Sequence, residues 1–316
     1  MASQHPAHAL PSGYQLQEYT IDRPLSAGGF SIVYLARDQA GMPFAIKEYL
    51  PASLVTRRDS LDLQVQVPAT VNLSAFRHGL KSFFEEGRSL AKIIHPNVVR
   101  VVNFFRANET VYMVMRYEHG KTLQEYIHEH KEKPLRESFI RRIFIDLLNG
   151  LREVHTHKLL HLDIKPANIY IRLDKSPLLI DFGAARRTLT DENPGLTPMY
   201  TPGFAAPEQY GGTEPLGPWT DIYAVGASIF ACLCGFAPQA ANLRLEEERQ
   251  ESARKIFENK YSGELLEIID WCLRLDHLER PQSVFALQKA LKAPATSPKL
   301  GVIGGMRAAW RKVTQK

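Results

Sequence analysis

The chain has 316 residues, 44% of them hydrophobic and 23% charged, an ordinary globular composition with enough length for two modest cores. No apolar run approaches the ~20 residues that span a bilayer, and the opening MASQHPAHALPSG lacks the basic start and apolar centre of a secretion signal. Three cysteines make no disulfide framework. Cys232, Cys234 and Cys272 lie in apolar helical contexts and read as reduced thiols of a cytoplasmic protein. The net charge of +5 belongs to the end of the chain, where residues 293–316 hold Lys299, Arg307, Arg311, Lys312 and Lys316 and no acid. Without those five, 34 of the 39 bases remain against 34 acids, so the body is neutral and does not read as a nucleic-acid binder.

In chain order, residues 1–13 are rich in Pro, Ala and His and are expected to be disordered. Residues 19–34 read as two strands around the glycine turn Leu25-Ser26-Ala27-Gly28-Gly29-Phe30-Ser31-Ile32-Val33. Residues 61–67 alternate strictly between apolar and polar, which predicts a half-buried strand. A helix over residues 83–90 carries Glu85 and Glu86, and residues 98–105 and 111–115 read as further strands. Apolar residues at 139, 140, 143, 144, 147, 148, 151 and 154 make a helical stripe wide enough to be buried. Asp221 stands at the start of an apolar helix that ends near Gly235. Residues 242–260 are strongly charged and predict a solvated helix, and residues 264–274 and 281–292 read as the last helices. Beyond a linker at 294–298, Met306, Ala309, Trp310 and Val313 share one helical face beside three bases. At about ten residues this tail reads as frayed, the other reading being contact with an acidic membrane or a partner.

The chemistry is concentrated in residues 160–183, LHLDIKPANIYIRLDKSPLLIDFG. Two short apolar runs, Ile169-Tyr170-Ile171 and Leu178-Leu179-Ile180, flank the turn Asp174-Lys175-Ser176-Pro177 and predict a hairpin. Its open end gathers Asp163, Lys165 and Asn168 from before the first strand and Asp181 from after the second. An acid and an Asn oxygen bind hard cations such as magnesium, and a second acid can take a proton from an incoming hydroxyl. Such a group of side chains suits a metal-bound polyphosphate.

HLDIKPAN and DFG, followed by Ala206-Pro207-Glu208, resemble the catalytic loop, metal-binding motif and activation-segment end of protein kinases. The resemblance runs from about Tyr14 to Leu291. It implies an α+β, bilobal fold: a small β-rich N-lobe with one main helix (14–115), a hinge (116–120) and a larger, mostly helical C-lobe (121–292), with the basic tail (293–316) beyond. It also implies roles. Asp163 is the base or orienter of the substrate hydroxyl, and Lys165 neutralises the transferring phosphoryl. Asn168 and Asp181 bind Mg2+, or Mn2+ in its place. ATP lies under Ser26, Ala27, Gly28 and Gly29 and against Val33, Ala45 and Tyr170. Aligned on Val33, the family's first and third glycines fall on Ser26 and Ser31, which implies a weakened grip on the phosphates.

By the same resemblance Lys47 contacts the α- and β-phosphates. Counting back from His95-Pro96-Asn97 selects Glu86, not Glu85, as its carboxylate. Met115 guards the back of the adenine pocket, and the Arg116 carbonyl and Glu118 amide meet the adenine edge. His161, Phe182, Leu90 and Val101 form a stack that aligns the lobes. Thr201 hydrogen-bonds Asp163 and Lys165, which favours Ser/Thr acceptors; Glu208 pairs with Arg280; Asp221 holds the catalytic-loop backbone. Leu162 stands where the commonest pattern has Arg, a non-RD loop, so phosphorylation at Thr188, Thr190 or Thr197 is not expected to be the main switch. Between Lys47 and Glu86 the chain is about twenty residues longer than the family minimum. With Lys47-Glu48-Tyr49-Leu50-Pro51 this insert is similar to a subgroup of bacterial eukaryotic-like kinases, and it reads as a structural elaboration or a docking surface. The expected function is a serine/threonine protein kinase that also autophosphorylates. The alternatives are a pseudokinase scaffold and a small-molecule kinase.

Overall fold

The structure is a computed structural model that describes residues 8–57, 63–68, 73–131, 134–182, 186–187, 200–211 and 214–293. The aromatic and β-branched runs of the first third form strands β1 (Gln15–Leu16), β2 (Tyr19–Ala27), β3 (Ser31–Arg37), β4 (Pro43–Tyr49), β5 (Thr56–Arg57), β6 (Val65–Gln66), β7 (Val101–Ala107) and β8 (Thr110–Arg116), with helix α1 (Leu73–Leu90) between β6 and β7. Six of these strands make one antiparallel sheet in the order β1-β2-β3-β4-β8-β7. Asn108 and Glu109, both at positive φ, close the β7–β8 hairpin with the twist a two-residue turn needs. Helix α1 buries Phe76, Phe83, Gly87 and Leu90, spaced to lie on one face.

The C-lobe begins with β9 (Gly120–Thr122), α2 (Leu123–Glu129), α3 (Glu137–Thr156), β10 (Leu159–Leu160), β11 (Ile169–Arg172), β12 (Pro177–Leu179) and β13 (Arg186–Arg187). It continues with α4 (Pro218–Cys234), α5 (Ala241–Glu246), α6 (Ala253–Phe257), α7 (Gly263–Cys272) and α8 (Val284–Lys292). The stripe on α3 is buried from Ile140 to Val154. Helix α4 is buried on every side from Thr220 to Leu233, which marks it as the centre of the lobe. Its Gly226 has no room for a side chain, since a Cβ there would meet the Cβ of Cys272 at 2.3 Å. Hairpin β11–β12 forms with Ile169 opposite Leu179. The lobes meet at Asn97, whose Nδ2 donates to the Pro177 carbonyl at 2.8 Å while its carbonyl accepts the Leu179 amide at 2.8 Å. Among the described residues no helix is long and apolar enough to cross a membrane.

Three expectations change. Disorder through residue 13 gives way to order from His8: Leu10 is fully buried, its amide donates to Tyr34 Oη at 3.1 Å, and the Gly13 amide donates to the Ile21 carbonyl. An apolar side chain in a Pro- and Ala-rich stretch thus fills the N-lobe core; residues 1–7 lie outside the described residues. The strand expected over 61–67 is only Val65–Gln66, paired with Thr56–Arg57, and Leu61 and Asp62 lie outside the described residues. The single helix expected over 242–260 is two, α5 and α6. Between them Gln239 ties the chain back, its Nε2 donating to the Glu247 carbonyl and its Oε1 accepting the Arg249 amide. Arg244 in α5 is buried, donating to the Leu273 carbonyl, Tyr223 Oη and Glu248. Ser252 then caps α6 afresh by accepting the Lys255 amide. The basic tail beyond Ala293 and the threonines at 188, 190 and 197 lie outside the described residues.

Candidate active site

The loop between β10 and β11 is held by one buried carboxylate. Asp221, in the first turn of α4, accepts the His161 amide at 2.9 Å, the Leu162 amide at 2.8 Å and His155 Nε2 at 2.8 Å. Burial pushes its pKa up, but the hydrogen bond and charge of His155, with the His161 amide, outweigh this and hold it below the ordinary value. Leu162 has φ +64°, a left-handed conformation that a branched side chain rarely adopts. Its amide is fixed by Asp221. Its carbonyl accepts Gln209 Nε2 at 2.8 Å, while Gln209 Oε1 accepts the Ala206 amide at 3.0 Å. The β10–β11 loop is therefore held at both backbone polar groups of Leu162, and through Gln209 it is tied to the Ala206-Pro207-Glu208 segment.

On this frame Asp163 is surrounded by donors. Its Oδ1 accepts the Thr201 hydroxyl at 2.8 Å, and its Oδ2 accepts Lys165 Nζ at 2.7 Å and Asn168 Nδ2 at 3.0 Å. Lys165 Nζ also donates to Thr201 Oγ1 at 2.7 Å. Asn168 Nδ2 donates to the Asp163 carbonyl as well, at 2.9 Å, which leaves Oδ1 as the amide's acceptor. Across the cleft Asp181, also left-handed at φ +60° and with its side chain 48% exposed, accepts Lys47 Nζ at 2.6 Å. An Asn oxygen and a half-exposed carboxylate are hard donors of the kind magnesium takes, with phosphate oxygens and water completing the shell. The residues present fit that ion.

Lys47 is nearly buried, its Nζ 5.6 Å from the Phe83 ring centroid and 3.9 Å from Glu86 Oε1. Burial works against its charge, but Glu86 and Asp181 outweigh it and keep its pKa raised. Glu86 is the opposite case. Its side chain is 7% exposed against 42% for Glu85, and burial, only partly offset by Lys47, pushes its pKa up to about 7. His161 packs its ring 4.4 Å from Phe182, and burial lowers its pKa. Leu90 and Val101 are buried in the core.

The turn between β2 and β3 carries Ser26 opposite Val33 and closes with the Gly28 amide on the Ser31 carbonyl at 2.9 Å. It is also pinned from outside: the Leu50 and Ala52 amides donate to the Phe30 and Gly29 carbonyls, both at 2.9 Å. Ala27, Gly28 and Gly29 are exposed, and Val33 and Ala45 half-buried. Met115 lies between Ala45 and Val101 in the sheet, and Arg116 is exposed, its amide on the Arg100 carbonyl. The Glu118 carbonyl accepts Tyr170 Oη at 3.4 Å. Glu208 and Arg280 form a bidentate pair at 2.8 and 2.9 Å, both side chains at 0% exposure, with Thr220 Oγ1 donating to Glu208 and Arg280 stacked over Tyr223. Sequence reasoning missed His155, Gln209 and Asn97. Gln209 had a local signal, the three-residue offset from Ala206 that a capping box uses; the other two act only through distant partners.

A bilobal fold with this loop defines a kinase-like protein. The family model for the protein kinase domain matches residues 19–294, and the chain belongs to that family. It is 31% identical over 78% of its length to serine/threonine-protein kinase SSN3 of Pyricularia oryzae, and 27% identical over 89% to serine/threonine-protein kinase B of Synechocystis. These matches take in 48% and 47% of the two relatives, so the chain spans about half their length. Among solved structures it is similar to the PpkA-294 apo form, with a TM-score of 0.80 and 37% identity over 90% of this chain and 100% of that one. The kinase domain of Mycobacterium tuberculosis PknI, at 21% identity and a TM-score of 0.67 over 90% of this chain and 98% of that one, shares the fold.

Proposed function

We propose that this protein is a serine/threonine kinase, transferring the γ-phosphoryl of ATP to Ser or Thr hydroxyls of proteins in the cytoplasm, its own among them. The observation that carries the reading is the triangle of Asp163, Lys165 and Thr201 at 2.7–2.8 Å. Asp163 accepts the proton of the incoming hydroxyl, and Lys165 neutralises charge that develops on the phosphoryl. Thr201 fixes both to the segment that would seat a peptide. Asn168 and Asp181 would hold magnesium, which shields the phosphate oxygens when bound. Lys47 positions the α- and β-phosphates beneath the β2–β3 turn, and the hinge at Arg116 and Glu118 takes the adenine.

The test is label transfer from γ-labelled ATP with magnesium, to the protein itself and to a generic basic protein. Label on Ser or Thr that vanishes in Asp163→Ala and Asp181→Ala supports the proposal. Nucleotide binding without label would make the chain a scaffold, and ATP consumption dependent on a small alcohol or amine would make it a small-molecule kinase.

A further inference from the structure

A polar cluster that phosphoryl transfer does not use lies one residue from Lys47. Alternation along β4 turns Lys47 into the cleft and Glu48 to the opposite face, where Glu48 is fully buried. Tyr34 Oη donates to its Oε2 at 2.7 Å, Tyr112 Oη to its Oε1 at 2.5 Å, and the Arg57 guanidinium to both oxygens. Arg57 comes from the insert, and its side chain is 2% exposed. Its other hydrogen bonds run to the Leu63 carbonyl at 2.8 Å and the His8 carbonyl at 2.5 Å. One guanidinium thus ties together the N-terminal segment, both arms of the insert and, through Glu48, strands β3, β4 and β8.

Stability alone accounts poorly for this arrangement. A buried ion pair does little better than the apolar side chains that could replace it, because desolvation offsets most of its attraction. Its position says more. Directly after β4, Leu50 and Ala52 hold the carbonyls of Phe30 and Gly29, and His8, Gly28, Leu50 and Val55 line one cavity between that turn and the insert. The strand anchored by Glu48 carries Lys47 and runs straight into the clasp on the phosphate turn.

We propose that Arg57 is a positioning residue for the nucleotide: acting through Glu48, it fixes β4 and the segment after it, and so sets both Lys47 and the β2–β3 turn for ATP. The insert is then a brace for a turn in which serine stands at two of the family's glycine positions. This inference rests on the kinase reading of the site.

The test uses the full chain with Arg57→Met, Arg57→Lys and Tyr112→Phe, and Leu287→Ala in α8 as a control destabilised far from the cleft. Read out are the Kd of ATP with magnesium by calorimetry, the KM values for ATP and protein acceptor, and the melting temperature. Arg57→Met should raise the Kd and KM for ATP about tenfold and leave the acceptor KM unchanged. Arg57→Lys, which keeps the charge and loses the fork, and Tyr112→Phe should shift them less in the same direction. Leu287→Ala should lower the melting temperature without moving either constant. If Arg57→Met does not fold, the two milder variants decide. Arg57 and Tyr112 variants that melt earlier yet keep wild-type ATP constants would overturn the proposal. A wild-type chain that binds ATP without transferring phosphate removes the kinase reading and leaves the Kd comparison to decide this one. A chain that binds no ATP removes both.

Discussion

Burial without a close partner gives Glu86 an unusual titration. Its carboxyl faces Lys47 at 3.9 Å and feels Asp181 beyond, and its pKa rises to about 7 from 4.5. As pH falls through 7 it gains a proton and loses the charge it offers Lys47. The kcat/KM for ATP should therefore decline on the acid side with an apparent pKa near 7, and Glu86→Gln should be low and flat there. Stability runs the other way. An acid whose folded pKa is raised favours the folded state while protonated, and that contribution is lost as pH rises through 7. Glu86→Gln should thus raise the melting temperature at pH 8 and leave it unchanged near pH 4.5. Thr201 offers a second test. Thr201→Ala should lower kcat roughly tenfold or more with the ATP KM intact, and Thr201→Ser should restore it in a steady-state assay. The residues that converge on the cleft were legible because motif order and spacing fix them along the chain. His155 and the Leu162 contact of Gln209 were not, since their partners lie tens of residues away, and the Glu48–Arg57 pair, nine residues apart, forms only because the insert folds back on β4.

Among elements, the segment ending in Glu208 is fastened to the bottom of the C-lobe by a pair that water does not reach. Arg280 satisfies its remaining donors on the carbonyls of Arg274, Leu275 and Trp219. Removing one partner strands the other charge, so Glu208→Gln or Arg280→Met should cost about 3–5 kcal/mol, read as a lower midpoint in urea denaturation. This pairing was anticipated from the motif, and the long α3 from its stripe. The run at 242–260 is mostly solvated, as its charge implied, but it is broken into α5 and α6 rather than being one helix. Arg244 is the buried exception, its charge matched by Glu248 and its other donors by the Leu273 carbonyl and Tyr223 Oη, which composition does not reveal. The alternation of 61–67 was real, but among the described residues only Val65 and Gln66 pair as a strand, with β5.

At the level of the molecule, Asn97 supplies two of the polar contacts that join the lobes. Asn97→Ala leaves the Pro177 carbonyl without its donor and should cost about 1–3 kcal/mol. Gly150 of α3 lies so close that a Cβ would stand 2.8 Å from the Asn97 carbonyl. Gly150→Ala should therefore shift the lobe junction, lower the melting temperature and reduce kcat together. Two lobes and their order were readable from strands preceding helices; the angle between them was not, because it depends on contacts of this kind. The three cysteines have a practical consequence. Cys232 and Cys272 are buried, Cys234 nearly so with its Sγ toward the Phe230 and Phe236 carbonyls, and burial raises all three thiol pKa values, that of Cys234 to about 12. Thiolate is scarce at neutral pH, so maleimide dyes should pass the native chain by. Phe30→Cys, at the half-exposed tip of the β2–β3 turn, would then accept a single fluorophore with no cysteine-free background to build, and that turn could be watched directly as nucleotide arrives.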